Sequence, residues 1–62
     1  MTKKEMVYEI ISNTKLSGLS ERDVKAIINK NSKSRITEVY NQFINDTEHA
    51  LAYYWLLASA TL

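Results

Sequence analysis

The chain has no cysteine, no proline and a single glycine among its 62 residues. Without cysteine it can form neither disulfides nor thiolate metal sites, and it has no thiol nucleophile. Proline and glycine are the residues that interrupt helices, so their near absence favours an all-α fold. The one clear break is the polar stretch TKLSGLS around Gly18, and no stretch alternates apolar and polar residues for long enough to indicate a strand.

The length of the chain limits both its organisation and its stability. We expect residues 1–62 to form a single small helical domain. A chain of this size buries only roughly 60% of the surface of its unfolded form, and its core rarely supplies more than about 3–5 kcal/mol. Because disulfides are excluded, we expect oligomerisation or very good helix packing to add to the stability.

The charges are nearly balanced, and a long apolar run is missing. Eight basic and seven acidic residues give a formal net charge of +1, which indicates little about partners. A transmembrane helix needs about 20 apolar residues, but Asp46, Glu48 and His49 precede the apolar end of the chain, and Glu5 and Glu9 interrupt its beginning. We predict a cytoplasmic protein that does not span a membrane.

Two short helices are predicted from their capping residues. Thr2 and Glu5 form a T-x-x-E capping box, which predicts a first helix over residues 3–13. Its apolar face comprises Met6, Val7, Ile10 and Ile11. Ser20 and Asp23 form a similar box and predict a second helix over residues 21–30. Its apolar stripe is Val24, Ile27 and Ile28, and Asn31 is expected to end it in a left-handed conformation.

A long third helix over residues 35–59 is predicted because nothing in this segment breaks a helix. On a helical wheel, one stripe of this helix faces the core: Ile36, Val39, Tyr40, Phe43, Thr47, Ala50, Leu51, Tyr54, Leu57 and Ala58. The expected fold is therefore a three-helix domain, in which the two short helices pack on the long C-terminal one.

The opposite side of the third helix becomes apolar in its second half. We predict a protein interface there, formed by His49, Ala52, Tyr53, Trp55, Leu56 and Ala60. Two short helices cover one side of a long helix but not both, and a contiguous apolar patch marks an interface. We therefore expect a homodimer or a complex with another protein. The competing interpretation is an ordinary surface, since single exposed apolar residues are common.

A cluster of basic residues lies in the middle of the chain. Lys25, Lys30, Lys33 and Arg35 occur within eleven residues, and no acidic residue lies between Asp23 and Glu38. They fall at the end of the second predicted helix, in the turn and at the start of the third, where helix-turn-helix proteins contact phosphate. The competing interpretation is a solvated turn between helices.

The segment VKAIINKNSKSRITEV, residues 24–39, resembles the helix-turn-helix family at some positions. The similar positions are the small Ala26, Ser32 at the start of the next helix, and Ile36 and Val39 on it. The segment departs from the family at the turn, where it has Asn29, Lys30 and Asn31. The resemblance implies that Lys33, Arg35 and Thr37 face a DNA groove.

No set of residues points to catalysis. The chain has one histidine, and no glycine-rich segment to bind phosphate. We predict a protein that is not an enzyme and that uses no cofactor, metal or small-molecule substrate. Our main hypothesis is a small interaction or regulatory protein, a homodimer through its C-terminal helix. The alternative is a minimal helix-turn-helix-like DNA-binding regulator that uses Lys25, Lys30, Lys33, Arg35 and Thr37.

Overall fold

The computed structural model of the protein describes residues 1–16 and 18–59. Within these ranges the chain forms four α-helices: α1 (Lys3–Ser12), α2 (Glu21–Lys30), α3 (Lys33–Ile44) and α4 (Ala50–Ala58). A 3-10 turn, Thr47–His49, leads into α4. The described residues contain no strand, which confirms the all-α fold class. No helix in these ranges is both long and apolar enough to cross a membrane.

The first two helices begin as their capping boxes predict. The Thr2 hydroxyl accepts a hydrogen bond from the Glu5 amide at 3.1 Å, and the Glu5 carboxylate accepts one from the Thr2 amide at 2.9 Å. Ser20 and Asp23 repeat this arrangement at the start of α2, at 3.3 and 3.2 Å. Each box satisfies backbone donors that a helix leaves free in its first turn.

The end of α2 differs from the prediction at Asn31. This residue is extended, with φ −117° and ψ 137°, so the expected left-handed stop is wrong. Its side chain is buried instead, and its amide donates to the carbonyls of Ile27 at 2.8 Å and Leu57 at 3.0 Å. The next residue, Ser32, caps α3 and accepts from the backbone amide of Arg35 at 3.2 Å.

The long helix expected over residues 35–59 is divided in two. α3 ends at Ile44, and Asp46 leaves the helical region with φ −158° and ψ 55°. The next residues, Asn45, Asp46 and Thr47, are weak helix formers whose side chains compete for backbone hydrogen bonds. The side-chain amide of Asn45, for example, donates to the Asn41 carbonyl at 2.9 Å. We call residues 45–49 the corner, since the chain changes direction there and the three-helix arrangement becomes four helices.

The core lies between the four helices, and α1 packs against the other three. The buried apolar side chains are Met6, Val7, Ile10, Val24, Ile27, Ile36, Val39, Phe43, Ala50, Tyr54, Leu57 and Ala58. Thr47 and Leu51, which the helical wheel placed in the core stripe, are exposed. The Tyr40 hydroxyl adds a polar contact between α3 and α1 by donating to the Glu9 carboxylate at 2.6 Å.

Candidate protein-binding surface

α4 has two distinct sides, and one of them is exposed. Ala50, Tyr54, Leu57 and Ala58 are buried against α1 and α3. Leu51, Ala52, Trp55 and Leu56 form the other side, which we call the outer face. Trp55 is 54% exposed, Leu51 43% and Leu56 42%. Their i, i+1, i+4, i+5 spacing places the four side chains next to one another on the helix surface, so the outer face is a contiguous apolar patch.

The outer face matches the predicted interface only in part. His49, Ala52, Trp55 and Leu56 are exposed as expected, whereas Tyr53 is half-buried and packs against the core. Its ring meets that of Phe43 edge to face, with 6.5 Å between the centroids. Leu51 takes its place on the exposed side. Ala60 lies outside the described residues.

The exchange of Tyr53 and Leu51 has a geometric cause. The wheel extended one regular helix from Ile36 to residue 59, but the corner interrupts that helix. α4 therefore starts with its own rotation about its axis, and Tyr53 turns towards the core while Leu51 turns away. The signal that sequence reasoning missed is the run Asn45, Asp46 and Thr47, residue types that favour turns and helix caps.

The corner is held by hydrogen bonds to the Asp46 carboxylate. His49 Nδ1 lies 2.7 Å from Asp46 Oδ1, and the Tyr53 hydroxyl donates to Oδ2 at 3.0 Å. The bond with His49 lowers the pKa of Asp46, and the same bond raises the pKa of His49. The Tyr53 bond to Asp46 raises the pKa of that phenol. These contacts fix the start of α4, and with it the direction of the outer face.

The corner also contains potential metal ligands. One ligand atom from each of Asp46, Glu48 and His49 lies within 4.8 Å of the others. Asp46 and His49 already bond to each other, and Glu48 and His49 are on the exposed surface. This arrangement is typical of a surface ion pair, so the geometry gives no reason to assign a metal here.

The basic residues are exposed, but those on the same helix point in different directions. Lys25, Lys30, Lys33 and Arg35 are all exposed. Positions five apart on a helix differ by about 140° in direction and positions two apart by about 160°. Lys25 and Lys30 therefore leave α2 in different directions, and Lys33 and Arg35 leave opposite sides of α3.

Thr37 lies in a different setting from these cations. It is half-buried, and its hydroxyl is 3.8 Å from the Met6 sulfur. It lines an open groove along α3 together with Lys33, Ser34, Glu38 and Asn41. The Glu38 carboxylate opposes the binding of phosphate in this groove. Thr37 and Lys33, four residues apart, thus lie on one side of α3, and Arg35 lies on the other.

The helices that carry the basic residues, α2 and α3, are arranged differently from those of a helix-turn-helix motif. That motif joins two mutually packed helices by a turn of about 3–4 residues. Here two residues, Asn31 and Ser32, join α2 to α3. α2 packs chiefly against α1, and α3 packs against α1 and α4.

Within the described residues, the fold and the exposed surface define a small all-helical protein with an exposed apolar helix face. Comparison of the chain with protein-family models, with characterised proteins and with solved structures gives no match.

Proposed function

We propose that this chain is a small non-catalytic interaction protein with a regulatory role, and that it acts through protein–protein contacts made by the outer face of α4. The observation that supports the proposal is the joint exposure of Leu51, Trp55 and Leu56. Tryptophan is enriched among the residues that dominate binding energy in interfaces. Covering this face removes apolar area from water, which is favourable by about 25 cal/mol per Å².

We further propose that the first partner of this face is a second copy of the chain. Residues 50–59 contain no charged side chain, so two copies of the face meet without bringing like charges together. A chain of this length also gains stability from a second copy, because its own core is small. Four side chains cover less than the roughly 800 Å² per partner of a standard interface. We therefore expect a weak dimer, with a dissociation constant in about the micromolar range.

Sedimentation velocity over a range of protein concentrations tests this proposal. We expect the wild type to shift from monomer to dimer and Leu56→Asp to remain monomeric, because the substitution puts a charge into the buried patch. The matched control is Leu16→Asp, at a similarly exposed leucine between α1 and α2. A wild type that stays monomeric at high concentration, or equal effects of the two substitutions, would contradict the proposal.

The alternative proposal is a DNA-binding regulator, and the exposure of Lys25, Lys30, Lys33 and Arg35 supports it. Phosphate contacts release counterions, so such binding weakens steeply with salt. Fluorescence anisotropy with a random DNA duplex measures this at low and then rising salt. The alternative predicts binding at low salt that is weakened when Lys33 and Arg35 are changed to glutamine. Undetectable binding at low salt would exclude it.

A further inference from the structure

We infer that the two copies pair with their α4 helices antiparallel, related by a two-fold axis that passes near Ala52 and Trp55. This inference rests on the proposed function, because it assumes that the outer face is the dimer interface. It adds the relative orientation of the partner, which decides which residues meet their own counterparts. The charges at the ends of α4 and the shape of the outer face support it independently.

The charged residues that adjoin α4 along the chain all precede it. Asp46 and Glu48 precede the helix, and residues 50–59 carry no charge. Parallel pairing would bring the two acidic ends together. Antiparallel pairing about the proposed axis separates the two copies of Glu48 by roughly 16 Å along the helices, which exceeds the Debye length of roughly 8 Å at physiological ionic strength. When His49 is protonated it balances the charge of Asp46, and that of Glu48 remains.

The shape of the outer face places the axis. Ala52 is its smallest side chain, with Leu51, Trp55 and Leu56 around it. A small residue lets two helix backbones approach closely, and a two-fold interface places the same patch of both subunits in contact. The level midway along the four residues lies between Ala52 and Trp55. At this level each Ala52 is close to its counterpart, and each Trp55 packs beside the leucines of the partner.

Single cysteines test the orientation, because the natural chain contains no cysteine. Ala52→Cys introduces a thiol near the proposed axis, and Ser59→Cys introduces one on the same side of the helix at its far end. Neither change alters a charge. A disulfide requires Cα atoms within about 7 Å. In an antiparallel pair the two copies of residue 59 lie roughly 16 Å apart along the axis, whereas in a parallel pair they are at the same level.

We expect Ala52→Cys to cross-link about tenfold faster than Ser59→Cys at concentrations where the wild type is dimeric, since a thiol held inside the pair has an effective concentration in the millimolar range. Each variant is also prepared with Leu56→Asp, which gives the rate of random collisions, and circular dichroism verifies folding. Fast cross-linking at both positions means parallel pairing and overturns the inference, although the proposed function stands.

Two other outcomes also overturn the inference, and they separate its failure from that of the proposed function. If both variants cross-link at the collision rate while sedimentation shows a dimer, the dimer uses another surface. If both cysteine variants cross-link at the collision rate and the wild type sediments as a monomer, the proposed homodimer itself is wrong.

Discussion

Asn31 joins parts of the chain that are distant in sequence. Its side-chain amide donates to the Ile27 carbonyl near the end of α2 and to the Leu57 carbonyl near the end of α4. Asn31 is 4% exposed, so these bonds form away from competing water. A buried hydrogen bond of this kind contributes mainly because its loss leaves a buried carbonyl without a donor.

We expect Asn31→Ala to lower the free energy of unfolding by about 1–3 kcal/mol, because the Ile27 carbonyl loses its side-chain donor and the Leu57 carbonyl keeps only the Ser59 amide. Urea denaturation followed by circular dichroism measures the change. Asn29→Ala is the control, since Asn29 is exposed in the last turns of α2 and alanine is a better helix former. A loss at Asn31 no greater than at Asn29 would show that the buried bonds contribute little.

The pair of Asp46 and His49 makes stability depend on pH in a defined window. The bond to His49 lowers the pKa of Asp46 below its ordinary value of 3.8, so this contribution is complete above that pH and is lost as pH falls through the folded pKa. The bond to Asp46 raises the pKa of His49 above its ordinary value of 6.5, so its contribution is complete below that pH and is lost as pH rises through the folded pKa. The pair therefore stabilises the corner most between these two values.

We expect Asp46→Asn to lower the pKa of His49, because the variant removes its hydrogen-bonded carboxylate. Titration of the imidazole proton signals by NMR measures it directly, since the chain has one histidine. Glu48→Gln is the control and should lower the pKa less, because Glu48 acts on His49 through charge alone. If Asp46→Asn leaves the His49 pKa unchanged, the pair is not formed in solution.

At the scale of the helices, the capping boxes at α1 and α2 are the clearest stabilising devices. Ser20→Ala removes the oxygen that accepts from the Asp23 amide. We expect a loss of about 1 kcal/mol in the free energy of unfolding, as is usual for helix N-caps. The comparison is Ser34→Ala, at an exposed serine inside α3. Equal denaturation midpoints for the two variants would contradict a capping role for Ser20.

The same boxes explain which elements could be predicted from the sequence. A capping box consists of residues three apart, so the starts of α1 and α2 are encoded locally. The run Asn45, Asp46 and Thr47 is a local signal for the corner, but the direction of α4 after it is not encoded locally, because Tyr53 bonds to Asp46 only after the chain has turned. The burial of Asn31 depends on Leu57, 26 residues away. The outer face was predicted only in part. Local periodicity is enough to place Trp55 and Leu56 on it, but the sides on which Tyr53 and Leu51 lie depend on the rotation of α4 after the corner.

At the scale of the whole molecule, self-association should appear as a thermal stability that depends on protein concentration. A ligand that binds only the folded state stabilises that state by mass action, and a second copy of the chain acts in the same way. For the wild type we expect the melting temperature to rise by roughly 3–6 °C for each tenfold increase in concentration within the dimeric range. Leu56→Asp should lack this dependence and Leu16→Asp should retain it. A wild-type melting temperature that is constant with concentration would contradict the dimer.

The corner also sets the size of the molecule. A continuous helix over residues 33–58 would be about 39 Å long, whereas the longest dimension of the folded chain is 26 Å. A rod of that length would extend well beyond α1, and its far end would leave Ala50, Tyr54 and Leu57 without neighbours to pack on. The polar residues Asn45, Asp46 and Thr47 interrupt this helix, so that α4 packs back against α3 and α1. This change of direction lets a 62-residue chain enclose a core. The compactness of this protein thus depends on a few residues that lie outside the core.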